Sequence, residues 1–342
     1  MFPKGVGGGE KMINSGIMSK QRTRIAWTRE RLLRERALAM GQAVDTSTWK
    51  SYGSALNSYL AFVRMHDFPV EPTADTLSFF TVYMCHHIKP SSVDNYLSGI
   101  CQQLEPYFPS VRDTQKSMVC KRTLTGCKQL RGVPTTRKRA LSMDDLQLIV
   151  QHYSASQDHN NRLFIAQMLT GFFALMCLGE LIAPNDNSLL DPQKITACTS
   201  VVLSNDDYRF FLPCHEADKF FEGNTIIVQR HHLIIDPYSH FQTYLKSRDR
   251  LFPFSSALWL RADGSLPTHS FFLQRLRLFF DSDVAGQSLR SGGATSLALN
   301  GVPPHLIQAT SHWASPAFQI YIRKNPMLMQ ALLFGQAAHE FV

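Results

Sequence analysis

Acidic side chains are in short supply in this 342-residue chain: 27 Asp and Glu face 35 Lys and Arg, for a formal charge of +8. Such a deficit disfavours cationic partners and points to a polyanion, nucleic acid first, because neutralising phosphates drives that binding. The seven cysteines are odd in number and scattered, with no Cys-x-x-Cys pair and no histidine at finger spacing. A disulfide framework and a zinc site are therefore not expected, and a reducing compartment, cytosolic or nuclear, is. Runs of about 18 apolar residues are missing, as is an apolar signal core, so a membrane partner is not expected. Internal repeats, a phosphate-cradling glycine loop, paired carboxylates and metal-ligand clusters are also lacking, and neither a metal nor a small-molecule cofactor is implied.

What is present suffices for two globular domains, with 44% hydrophobic and only 18% charged residues. Residues 1–42 read as a basic N-terminal arm: a glycine-rich leader, then Lys20, Arg22, Arg24, Arg29, Arg31, Arg34 and Arg36 around Ile25, Trp27, Leu32 and Leu33, the pattern of a basic amphipathic helix. A solvated arm, a nuclear-import signal and an arm along DNA phosphates are all compatible with it. From 43 to 132 the apolar spacing is helical. One helix runs through Trp49, Tyr52, Leu56, Tyr59 and Val63 from a cap at Thr46 or Ser47, a second follows Asp75 and a third follows Ser91 or Ser92. Pro69, Pro72, Pro90, Pro106 and Pro109 fall between these helices, giving a bundle of about four.

Between residues 112 and 139 stand Arg112, Lys116, Lys121, Arg122, Lys128, Arg131, Arg137, Lys138 and Arg139 against one acid, Asp113. So one-sided a stretch reads as a DNA-backbone contact, with a solvated face as the plainer alternative. Gly132 to Thr136 interrupts it as a linker, and 133–140 is a basic connection between domains. Residues 141–342 then form the second domain. Ser142 and Asp145 make a capping box, and 162–182 reads as a long apolar helix or helix pair. Strand texture covers Val201–Leu203, Tyr208–Leu212 and Thr225–Val228. A helix is expected over 236–249, a short strand at Leu258–Leu260, a turn at Asp263-Gly264 and a helix from Thr268 through Phe280. The segment 327–334 is apolar on all sides and needs a groove, in its own chain or in a neighbouring copy.

Residues 288–326 contain Arg290 at a helix start, then Gly292-Gly293-Ala294-Thr295, Gly301-Val302-Pro303, His312-Trp313 and Tyr321. Arginine, then tryptophan, then tyrosine suggests a place to hold a phosphate and attack it; two core helices joined by a turn is the simpler reading. This run resembles the C-terminal signature of the tyrosine recombinases, the integrase family that cuts and rejoins DNA through a 3′-phosphotyrosine, and is most similar to the divergent members of eukaryotic Crypton-type mobile elements. The resemblance implies a mainly α fold with a small antiparallel sheet: an N-terminal helical core-binding bundle followed by a catalytic domain. It also implies double-stranded DNA as partner, assembly as a dimer or tetramer through 327–334, and a nuclear location. Tyr321 would be the nucleophile, Arg290 a phosphate clamp, Trp313 an orienting group and His312 a possible phosphate ligand.

Three positions depart from the pattern. Cys177, in Leu175-Met176-Cys177-Leu178-Gly179-Glu180-Leu181, stands where the family has its first arginine, Glu216 stands for a lysine, and Gln287 for a histidine. Lys219 is a displaced substitute for the lysine at best. Active members use two arginines and a lysine, without metal, to meet charge on the phosphoryl oxygens and leaving group. Strand cleavage is therefore expected to be weak or lost. An inactive DNA-binding module of the same fold, and a helical scaffold for an acidic protein, are the alternatives.

Overall fold

The computed structural model describes residues 25–41, 44–133, 137–214, 218, 222–231 and 235–310. The chain divides into two compact units, with the boundary between Gly132 and Val133.

The first unit contains helices α1 (Arg29–Gly41), α2 (Thr46–Met65), α3 (Ala74–Met84), α4 (Pro90–Leu104), α5 (Val111–Gln115) and α6 (Met118–Arg131). Asp45, not Thr46 or Ser47, caps α2 by accepting from Ser47 N at 2.9 Å. A carboxylate there also complements the positive end of the helix. Thr73 and Thr76 form a reciprocal capping box on α3. Pro90 lies inside α4 at its first turn, where its missing N–H costs nothing, instead of between helices. Tyr59, Phe62, Leu77, Phe80, Val93, Leu97 and Ile100 close the core. The basic helix α6 docks on it through Cys120, Leu124 and Cys127, spaced four and three residues apart on one face. The expected two-sided arm helix is corrected by α1: a helix forms, but none of its residues is buried, and Leu32 and Leu33 are as open as the arginines.

In the second unit α7 (Met143–Tyr153) starts at the Ser142–Asp145 capping box, with both reciprocal bonds present. Helix α8 (His159–Phe173) is buried continuously from Leu163 to Phe172. Phe164, Met168 and Phe172 enter one hydrophobic cluster, and Leu163 and Ala166 enter another. Three antiparallel strands follow in the order β1 (Val202–Leu203), β2 (Asp207–Leu212), β3 (Asn224–Gln229). Tyr208 pairs with Val228 and Phe210 with Ile226, so one face of the sheet is apolar and rests on α9 (Pro237–Leu251), where Tyr208 stacks on Phe241 at 4.0 Å. Helices α10 (His269–Leu276), α11 (Gln287–Leu299) and α12 (Pro304–Thr310) complete the described fold.

Three sequence expectations are corrected here. The helix expected over 162–182 stops at Phe173. Met176 N bonds to Gly171 O and Leu175 N to Phe172 O, the two bonds of a Schellman end, with Leu175 in the left-handed position (φ 54°) that glycine usually takes. Leu258–Leu260 is no strand. An isolated antiparallel bridge at Ala257 leaves Leu258 N donating to Thr196 O at 2.9 Å, and beyond it Tyr244 Oη donates to Leu258 O at 2.9 Å and accepts from Leu260 N at 2.8 Å. Helix α10 ends at Leu276, short of Phe280, and turns through 281–286 into α11.

His159, at the start of α8, is buried between Ser247 Oγ and Leu260 O, each 2.9 Å from a ring nitrogen. Burial pushes its pKa below the ordinary histidine value, despite the raising effect of the Leu260 carbonyl. The unfolded chain therefore takes up the proton first. Stability from neutral His159 is complete above about pH 6.5 and falls away as pH drops towards the folded-state pKa. His159→Gln is expected to reduce the slope of Tm against pH between 7.5 and 5; an unchanged slope would count against the buried neutral imidazole. Some slope remains in the variant, because burial also lowers the pKa of His240.

Candidate active site

Helix α11 presents Arg290 one turn from its start, and the Schellman end of α8 presents a carbonyl to it. Arg290 Nε donates to Leu175 O at 2.6 Å, while its Nη2 lies 3.6 Å from Glu180 Oε1. Both side chains are largely buried, at 13% and 8% exposure. Opposite charges so sheltered from water offset part of each other's desolvation cost by facing one another. The left-handed turn at Leu175 costs of order 1–2 kcal/mol for a non-glycine residue. Its result is that the Leu175 carbonyl points at the guanidinium.

Cys177 belongs to the same cluster. Its backbone N–H donates to Glu180 Oε2 at 2.7 Å, closing a single turn of 3-10 helix over Leu178–Glu180. Residue 177 thus sits three positions from the carboxylate that holds Arg290. Gln287 lies exposed at the first residue of α11, one turn before Arg290. Sequence separation hid two members of this cluster. Leu175 contributes only a carbonyl, which no side-chain pattern announces, and Glu180 was visible as a matching letter but not as the partner of Arg290.

The glycines of the signature serve packing. A Cβ on Gly292 would fall 2.3 Å from Leu141 O, and one on Gly293 would fall 2.0 Å from Phe172 O. Gly171 meets Leu289 and Leu181 across the same contact. The backbones of α8 and α11 therefore approach closely, and that approach is what brings Arg290 to Leu175. Gly301, at φ 76°, turns the chain from α11 into α12.

The basic stretch is divided between the units, with 112–131 on the first and 137–139 on the second. It is also less one-sided in space than in sequence. Arg112 pairs with Glu105 at 2.8 Å, Lys128 with Asp94 at 2.7 Å, and Arg139 with Asp145 and Asp283. Lys138 donates to Ser282 O. Lys116, Lys121, Arg122, Arg131 and Arg137 are exposed and have no ion pair among the described residues. His312, Trp313, Tyr321, Glu216, Lys219 and the apolar segment 327–334 lie outside the described residues.

A small antiparallel sheet beside a helical core, preceded by a separate helical bundle, is the arrangement found in a set of solved structures. The XerH site-specific recombinase bound to palindromic difH substrate superposes with a TM-score of 0.57 at 14% identity, over 83% of this chain and 78% of that one. The fold is the tyrosine-recombinase fold. A lambda integrase tetramer bound to a Holliday junction gives a TM-score of 0.52 at 13% identity, over 85% and 75% of the two chains. The Tn1549 transposon integrase in complex with transposon right end DNA gives 0.50 at 11% identity, over 79% and 93%. No protein-family model matches the chain, and no curated protein matches it in sequence.

Proposed function

We propose that this chain is a DNA-binding protein of mobile-element, Crypton-like type that keeps the tyrosine-recombinase fold and has lost most or all of its strand-cleavage chemistry. It grips double-stranded DNA as a dimer or tetramer, in the nucleus, with the exposed cations of α6 on the phosphate backbone. The observation that carries the loss of chemistry is what stands beside Arg290. Its guanidinium is held by the buried carboxylate of Glu180, and position 177, which would supply a second cation, is a cysteine. A phosphodiester entering this cluster meets one guanidinium where the family has two. Arginine clamps and oxyanion donors are each worth roughly 10²- to 10⁵-fold in rate, so removing one leaves little cleavage even with a tyrosine in place.

Nicked suicide duplexes, drawn from a pool selected for binding, test this reading. The wild-type chain is expected to bind them in a salt-dependent way and to form no covalent adduct. The double variant Cys177→Arg, Glu216→Lys is expected to gain an adduct that disappears on adding Tyr321→Phe. An adduct from the wild-type chain would show a working enzyme. Failure to bind any duplex would favour a scaffold for an acidic protein.

A further inference from the structure

Helix α6 turns Cys120, Leu124 and Cys127 into the core of the first unit, so its opposite face is left to solvent. The cations without an ion pair among the described residues stand towards its two ends: Lys116, Lys121 and Arg122 before or within the first turns, and Arg131 at the last residue. Between them, from 123 to 130, Lys128 carries the one charge, and it already faces Asp94 at 2.7 Å. That interval exposes two uncharged polar side chains one turn apart, Thr125 and Gln129, and neither side chain makes a hydrogen bond among the described residues. Other helical threonines behave differently: the hydroxyls of Thr81, Thr170, Thr243 and Thr295 each donate to the carbonyl four residues earlier. The Thr125 hydroxyl and the Gln129 amide are therefore open to a partner outside the chain. At Gly126, between them, a Cβ would meet nothing within 4 Å, so packing within the unit does not call for glycine, and the bare backbone lets a second molecule come close.

We propose that Thr125 and Gln129 read base edges in the major groove of double-stranded DNA while the cations at either end of α6 hold the phosphates. The inference rests on the DNA-binding reading and deepens it by naming the residues that give sequence preference. Contacts to phosphate fix the position of a helix on the duplex, whereas sequence is read by groups at the base edges. A glutamine amide matches adenine, donating to N7 and accepting from the N6 amino group, and a threonine methyl packs on the thymine methyl. Four residues of helix rise about 6 Å, close to two base-pair steps of about 3.4 Å each, so the two side chains address positions two pairs apart. The expected site has an A·T pair at Gln129 and, two pairs away, a thymine at Thr125.

Selection of duplexes from a random pool by the full-length chain, followed by anisotropy titrations of the selected site and its single-pair variants, tests this. One A·T pair is expected whose exchange for G·C weakens wild-type binding about 10- to 100-fold and leaves Gln129→Ala almost indifferent. Gln129→Arg should prefer the G·C version, because a guanidinium pairs with guanine O6 and N7. Thr125→Ala should relax the preference two pairs away and keep the one at the adenine. Lys121→Gln should weaken all these duplexes alike and make the salt dependence shallower. If Gln129→Ala keeps every wild-type preference, or the wild-type chain binds all duplexes equally, the proposal is overturned, and a weakening by Lys121→Gln then leaves the DNA-binding reading standing. Binding to no duplex overturns both.

Discussion

Gly293→Ala is expected to destabilise the second unit by about 3–5 kcal/mol, a loss of roughly 6–20 °C in Tm for a unit of this size. The added methyl would fall 2.0 Å from Phe172 O and 2.5 Å from Leu175 Cδ2. Neither obstacle yields easily. Phe172 O belongs to the last turn of α8, and Leu175 is fixed by its left-handed backbone and its bond to Arg290. Relief requires α11 to move off α8, which opens the buried surface around Leu289 and Phe172. Gly179→Ala is the control, because a Cβ there meets nothing within 4 Å although the residue adjoins Glu180. Calorimetry of both variants checks the expectation, and a Gly293→Ala transition within 1 kcal/mol of wild type would refute the close approach of the two helices.

The second large effect lies on the first unit. Exchanging Lys116, Lys121, Arg122 and Arg131 for glutamine should weaken binding to duplex DNA by roughly 10²- to 10³-fold near 0.1 M salt. It should also make the dependence of log K on log salt shallower by about 3.6, at 0.9 for each of four phosphates. These four side chains are exposed and have no carboxylate partner among the described residues. Lys128→Gln alone should do much less, since Asp94 already faces its ammonium. A fluorescence-anisotropy titration at three salt concentrations separates the cases. An affinity and a salt slope unchanged by the fourfold exchange would mean that α6 is not the contact surface.

How much was legible depended on whether the signal was local. Strands β2 and β3 were readable because Tyr208, Phe210 and Leu212, and then Ile226 and Val228, alternate with exposed residues, as a sheet with one covered face requires. Capping at Ser142 was readable for the same reason: both partners lie within one turn. The end of α8 was not. It is buried on every side, so its apolar run continues without a change of period, and the stop is made by a leucine in a position where glycine is the usual sign. Leu258–Leu260 misled because burial resembles a strand even where a single bridge gives way to hydrogen bonds from a distant tyrosine. Charge was misread in the same manner. Lys128 and Asp94 are 34 residues apart and Arg139 and Asp283 are 144 apart, so a count along the chain could not cancel them.

The pairing of Arg290 with Glu180 also constrains what can be substituted. Each side chain is sheltered from water and neutralised by the other, so exchanging one by itself strands an opposite charge in a dry interior. A viable route away from either runs through both together, or through a residue of like charge. A cation at 290 is therefore required by the unit for as long as Glu180 is kept, independently of any phosphate, and a chain that had long ceased to cut DNA would still have to carry it.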